Sequence, residues 1–137
     1  MSVDSPNLDN VDRFSVPVER VEKPWGYELI YTEKASPYCG KLLYVRAGEA
    51  LSLQFHREKD ETLYVHEGRL ELEIGEPGRT PDTEVVAPGM SFHLAPGTVH
   101  RLRALEDSVV LEVSTSETGD VVRLEDEYGR AGGAPDD

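Results

Sequence analysis

Four side chains in this sequence are spaced so that they can meet at one point: Gln54, His56, Glu61 and His100. The run Leu51–Ser52–Leu53–Gln54–Phe55–His56 alternates as an extended strand does, with successive side chains on opposite faces. Gln54 and His56 therefore share one face, and Leu53 and Phe55 the other. A charged loop follows, then Glu61 at the head of a second apolar run, Leu63–Tyr64–Val65. His100 opens a later strand, after the rigid Ala95-Pro96-Gly97 bend. Two imidazoles, a carboxylate and an amide oxygen can hold one divalent ion (Zn, Mn, Ni, Co or Fe) and leave coordination positions open. A single buried polar side chain is more often just hydrogen-bonded within a core. Four converging on one point favour a metal.

Strand parity separates the histidines. His100 shares a face with Leu102 and Ala104, expected to be the inner one. His66 lies in phase with Thr62 and Tyr64, opposite Glu61, Leu63 and Val65. His93 lies opposite Phe92 and Leu94. Both are expected to point away from the site, because a shift of one residue reverses the side-chain direction.

The two stretches resemble the paired motifs of the cupin superfamily. The first motif runs Gly, five residues, His-x-His, three or four residues, Glu, six residues, Gly. Here it is Gly48, Gln54-Phe55-His56, Glu61 and Gly68, with Gln54 in place of the commoner His. The second motif is met at Gly89, Gly97 and His100, and departs from the pattern at Ala95 and Ala104. The resemblance implies a single all-β cupin domain, a double-stranded β-helix or jelly-roll barrel with the site inside. The turn-rich spacing of about ten short strands agrees with a sandwich or barrel.

Three further segments are similar to the type II mannose-6-phosphate isomerase domain: Lys23-Pro24-Trp25-Gly26, Leu51 to His56, and Asp120 to Arg130. That domain often follows a sugar-nucleotide pyrophosphorylase domain, which links it to polysaccharide biosynthesis. The resemblance implies a metal-dependent aldose–ketose isomerase acting on a phosphorylated sugar. It makes Arg123, Tyr128 and Arg130 candidate substrate contacts, with a salt-bridged C-terminus or dimer contacts as the other readings. Lys59 is the nearest candidate base in sequence, although Lys59, Arg57 and Arg46 read first as a solvated face. The family's loop histidines are lost here, and so is its Glu-Asn-Pro, at Ala104-Leu105-Glu106. Two other readings therefore stand beside the isomerase: a non-catalytic metal- or sugar-binding cupin, and an Fe(II)-type cupin dioxygenase.

At 137 residues the chain suits one domain with a buried core. The expected division is a tail or arm over 1–18, the cupin domain over 19–130 and a C-terminal tail over 131–137. A formal net charge of −13 argues against nucleic acid or an anionic membrane as partner. The one cysteine, Cys39, can form no internal disulfide, so a cytoplasmic location is expected. Trp25 reads as a packing anchor. Glu125–Arg130 reads as one helical turn, and a homodimer is expected through outward apolar positions at Tyr64 and Val110.

Overall fold

A computed structural model describes residues 13–116 and 120–130. Of the expected tail or arm over 1–18, residues 1–12 lie outside the described residues, as does the expected C-terminal tail over 131–137. Eleven strands follow in order: β1 (Glu19–Lys23), β2 (Gly26–Ile30), β3 (Tyr38–Val45), β4 (Leu53–His56), β5 (Glu61–Glu67), β6 (Leu70–Gly75), β7 (Asp82–Val86), β8 (Ser91–Leu94), β9 (Val99–Ala104), β10 (Ser108–Thr115) and β11 (Val121–Glu125). They form two sheets, ordered β1-β2-β3-β10-β5-β8 and β11-β4-β9-β6-β7. Every named strand pair is antiparallel. Sheets of this kind bury one face and solvate the other, which is why alternation was readable in the sequence. This is the all-β jelly-roll expected. Among the described residues no helix is long and apolar enough to cross a membrane.

The core lies between the sheets. Trp25, Val45, Val65, Leu70, Leu72, Val86 and Val110 are each at most 2% exposed. Each such side chain contributes roughly 1.5–3 kcal/mol through burial. Trp25 is thus a packing anchor, as its type suggested. Two glycines carry local constraints. Gly68 has φ 90, and a Cβ there would sit 2.2 Å from Ser108 Oγ. Gly97 has φ 87, and its N–H donates to the His56 carbonyl at 2.7 Å. The turn before β9 is thereby tied to the end of β4.

Two expectations need correction. Val110 is not an outward position: it is 0% exposed and belongs to the core. In β10 the exposed valine is Val113, whose parity is opposite. Glu125–Arg130 is not a helical turn. Gly129 takes φ 79, which a helix does not allow, and the Asp126 carboxylate closes the turn by accepting the Tyr128 and Arg130 amides at 3.2 and 2.7 Å.

Candidate metal centre and the buried charges around it

His56 ends β4 and His100 lies in β9, so both come from the five-stranded sheet. Glu61 heads β5 and reaches in from the other sheet. Gln54 and His100 are cross-strand partners, which places them side by side on one face. All four residues are buried, at 5–6% exposure. Donor atoms of His56, Glu61 and His100 lie within 4.8 Å of one another. Gln54 lines the same cavity, where its Oε1 accepts the Ser52 hydroxyl at 2.7 Å. An amide oxygen has a second lone pair, so this bond leaves it able to face an ion.

The hydrogen bonds around the rings settle which nitrogens face inward. His100 Nδ1 lies 3.0 Å from the Thr98 carbonyl, which can only accept, so Nδ1 carries the proton. His56 Nδ1 lies 3.0 Å from Asp120 Oδ1 and donates to it in the same way. Both Nε2 atoms then present lone pairs toward Glu61, at 3.2 Å from Oε2 for His56 and 3.8 Å from Oε1 for His100. Glu61 Oε2 is buried and accepts no aligned hydrogen bond. Two acceptor nitrogens facing a buried carboxylate form a cradle for a cation, so the residues present fit a divalent metal. The other Asp120 oxygen accepts the Glu58 and Lys59 amides at 2.8 and 2.9 Å, so one carboxylate sets both the His56 ring and the loop leading to Glu61. Burial alone would raise the Asp120 carboxyl. The Lys59 and Glu58 amides, with His56, hold it below the usual aspartate value.

His66 and His93 point outward as parity required. His66 is exposed, and His93 pairs at the surface with Asp60 at 2.7 Å. The other candidates divide. Arg130 lines the cavity, with its guanidinium held by Asp126 at 3.0 and 3.1 Å. Arg123 is 2% exposed and is the cross-strand partner of Gln54. Tyr128 sits apart: its hydroxyl bonds Glu49 and accepts the Ala50 amide, and burial with the Glu49 carboxylate pushes the phenol up to about 12. Arg46 and Arg57 are exposed, as a solvated face requires. Lys59 is not part of that face. It is 7% exposed, with Nζ 3.0 Å from Glu112 Oε2 and 3.8 Å from Glu61 Oε2, because the Asp120 bonds turn its loop inward.

Sequence reasoning missed the other buried charges beside Lys59. Glu28 and Glu112 line the same cavity and are 5% and 6% exposed; Lys41 lines it too. The signal was parity. Lys41 is in phase with Leu43 and Val45, and Glu112 with Val110, so each charge stands on an apolar face. Burial pushes the Glu28 carboxyl up despite Lys41 and Lys23. Burial acts the same way on Glu112, but Lys59 and Lys41 outweigh it and hold that carboxyl down at about 2.

The cavity bounded by these groups is small, about 30 Å³. That is room for an ion or one or two waters. A neighbouring chamber of about 370 Å³ is bounded by Thr32, Cys39, Ser114 and Thr115 among others, and Lys41 and Lys59 line both spaces.

Relatives agree with this architecture. The chain is 30% identical over 118 residues to the xanthan biosynthesis protein XanB of Xanthomonas campestris pv. campestris, covering 81% of this chain. It spans 24% of that protein's length, about a quarter. Among solved structures, the capsular polysaccharide assembling protein CapF of Staphylococcus aureus superposes with a TM-score of 0.71 at 15% identity, over 89% of this chain and 40% of that one. Oxalate decarboxylase of Bacillus subtilis superposes at 0.68 with 17% identity, over 78% of this chain and 30% of that one. These structural likenesses establish the fold. Residues 41–115 match the cupin domain, a stretch that takes in both inward histidines and the glutamate between them. With more than half its length in that match, this chain belongs to the cupin family.

Proposed function

We propose that the chain is a metal-binding cupin that acts on a phosphorylated sugar, as an aldose–ketose isomerase of the mannose-6-phosphate type. The observation that carries this reading is the pair of Nε2 lone pairs turned on the buried Glu61 carboxylate. His56, His100 and Glu61 would hold the ion, with Gln54 as a fourth donor. When bound, the ion would stabilise charge developing on the sugar's O1 and O2. The three isomerase-like segments support the substrate class, and the similarity to the xanthan biosynthesis protein XanB supports a place in polysaccharide biosynthesis.

The protein's own groups would divide the remaining work. Asp120 fixes the His56 ring. Lys59, held between two carboxylates, is placed to donate a hydrogen bond to a sugar oxygen as an ammonium, rather than to remove a proton. Glu28 lines the same cavity with its carboxyl pushed up by burial, which suits a group that takes and returns a proton between C2 and C1. Arg130 stands at the cavity as an anion contact. A homodimer through the outer face of the six-stranded sheet, at Tyr64 and Val113, belongs to the same reading and is checked by light scattering.

One observation favours a second reading. A cavity of about 30 Å³ is far below the roughly 300 Å³ or more typical of ligand pockets, which suits a barrel that binds an ion without turning over a sugar. The test is elemental analysis of protein purified without added metal, then an assay panel of hexose and pentose phosphates. Turnover lost on chelation and restored by zinc, manganese, cobalt or nickel is the expected result. Metal uptake with no turnover in any metal form would leave the binding barrel.

A further inference from the structure

The inner wall of the six-stranded sheet carries an alternating row of charges. Lys23 Nζ and Lys41 Nζ lie 4.0 and 3.4 Å from Glu28 Oε1. Lys41 and Glu112 are cross-strand partners between β3 and β10. Lys59 Nζ continues the row to Glu112 at 3.0 Å and to Glu61 at 3.8 Å. None of the six side chains is more than 14% exposed. Three ammonium groups face three carboxylates, so the row sums to zero. Of the charges beside the row, Arg130 is matched by Asp126.

A divalent ion among His56, Glu61 and His100 upsets this balance. Its histidine ligands are neutral, so the wall gains two positive charges among side chains that are largely buried. Uncompensated charge is costly there. Protonation of Glu28 would only enlarge the excess. A ligand carrying two negative charges restores neutrality, and the neighbouring chamber is fitted to receive one. At about 370 Å³ it lies within the range of ligand pockets, and Lys41 and Lys59 form the wall it shares with the ion cavity. Thr32 Oγ1 accepts the Gly40 amide and Thr115 Oγ1 the Asp60 amide, each at 3.0 Å. Each hydroxyl keeps its own proton to donate. Glu19, Glu33 and Lys34 also border this chamber, but they are exposed and their charges are screened by water.

We propose that Lys41 and Lys59 seat a small dianion of the phosphate-monoester class in the outer chamber, and that this seat becomes effective when the divalent ion is bound. The proposal rests on the metal reading above and adds to it a required ligand charge and a place for it.

Calorimetry with methyl phosphate as the dianion and manganese as the ion tests it. Manganese-loaded protein is expected to bind methyl phosphate about tenfold more tightly than metal-free protein, and methyl phosphate to tighten manganese binding by the same factor, since coupling is reciprocal. Methyl sulfate, of the same shape with one charge, is expected to show no such coupling. Lys41→Met and Lys59→Met should lose it with manganese still bound, while Lys41→Arg and Lys59→Arg, which keep the charge, should retain it and so control for folding. Equal coupling with methyl sulfate, or full coupling in both methionine variants, overturns the proposal. Manganese uptake without methyl phosphate binding overturns the anion seat alone. No manganese uptake overturns the seat and the metal reading together.

Discussion

Strands β3 and β10 run side by side through two unlike environments. At one end Val45 stands opposite Ser108, and Val110 opposite Leu43; both valines are 0% exposed. At the other end the same inward parity presents Lys41 opposite Glu112, with Ser114 donating to Glu112 at 2.9 Å. Backbone, register and burial are alike; only the side chains differ. The apolar end gains from being dry. The charged end is tolerated in a dry place because each charge has a partner, and such pairs add little net stability. The difference separates what holds the barrel together from what it was built to contain.

The largest expected effect comes from breaking the charged end on one side only. Glu112→Ala takes from the buried Lys59 ammonium its nearest carboxylate, at 3.0 Å, and is expected to cost about 3–5 kcal/mol of unfolding free energy in urea titration. Replacing both members, as Lys59→Met with Glu112→Leu, should recover at least half of that loss, since no buried charge is then left alone between them. A double variant as unstable as Glu112→Ala would show that the pair itself supports the fold. At the apolar end, Leu70→Ala removes a side chain that is 0% exposed and should cost about 2–5 kcal/mol. Its metal content in the folded fraction should stay at the wild-type level, because Leu70 lies outside the ion cavity.

The fold was legible because β6 and β9 obey a period of two, and because glycines mark the turns. Gly68 and Gly97 stand where positive φ is needed. The histidine assignment followed from parity alone. Lys41 shares its parity with Leu43 and Val45, and Glu112 with Val110, but a lone charge in a strand reads as a surface residue until its partner on another strand is known. That partner is a non-local fact: Lys41 and Glu112 are far apart in sequence and meet only through the β3–β10 register. The same reason hid Lys59, whose loop is turned inward by Asp120. Val110 was misplaced because an apolar residue in a strand of a two-layer sheet can face either way. Glu125–Arg130 misled because its composition suits a helix, while Gly129 and the Asp126 cap make a turn.

Smaller effects concern the ion. Asp120→Asn should weaken manganese binding about 10–100-fold by releasing the His56 ring and the loop amides, and His56→Ala or His100→Ala should weaken it at least as much. His66→Ala and His93→Ala should leave stoichiometry and affinity unchanged. Gln54→Ala should cost less than either inward imidazole, because an amide oxygen is a weaker donor to such ions. Calorimetry of the five histidine and glutamine-site variants beside wild type decides this. A His93→Ala protein with reduced metal would break the parity argument.

The subtlest test uses two carboxylates of the same row, whose environments push them in opposite directions. Burial holds the Glu28 carboxyl above its usual value, whereas Lys59 and Lys41 overcome burial and hold Glu112 at about 2. A carboxyl with a raised folded value adds stability at low pH and loses it as pH rises through that value. One with a depressed value adds stability above the unfolded value, near 4.5, and loses it as pH falls toward about 2. Glu112→Gln should therefore flatten the loss of stability on acidification between those limits. Glu28→Gln should leave that acid limb intact and change stability at neutral pH by less than about 1 kcal/mol, since the amide carries no charge to desolvate. Urea midpoints measured from pH 2.5 to 8 check both. If Glu28→Gln flattens the acid limb as Glu112→Gln does, the two carboxylates titrate alike, and the proposal of Glu28 as the group that takes and returns a proton falls with that result.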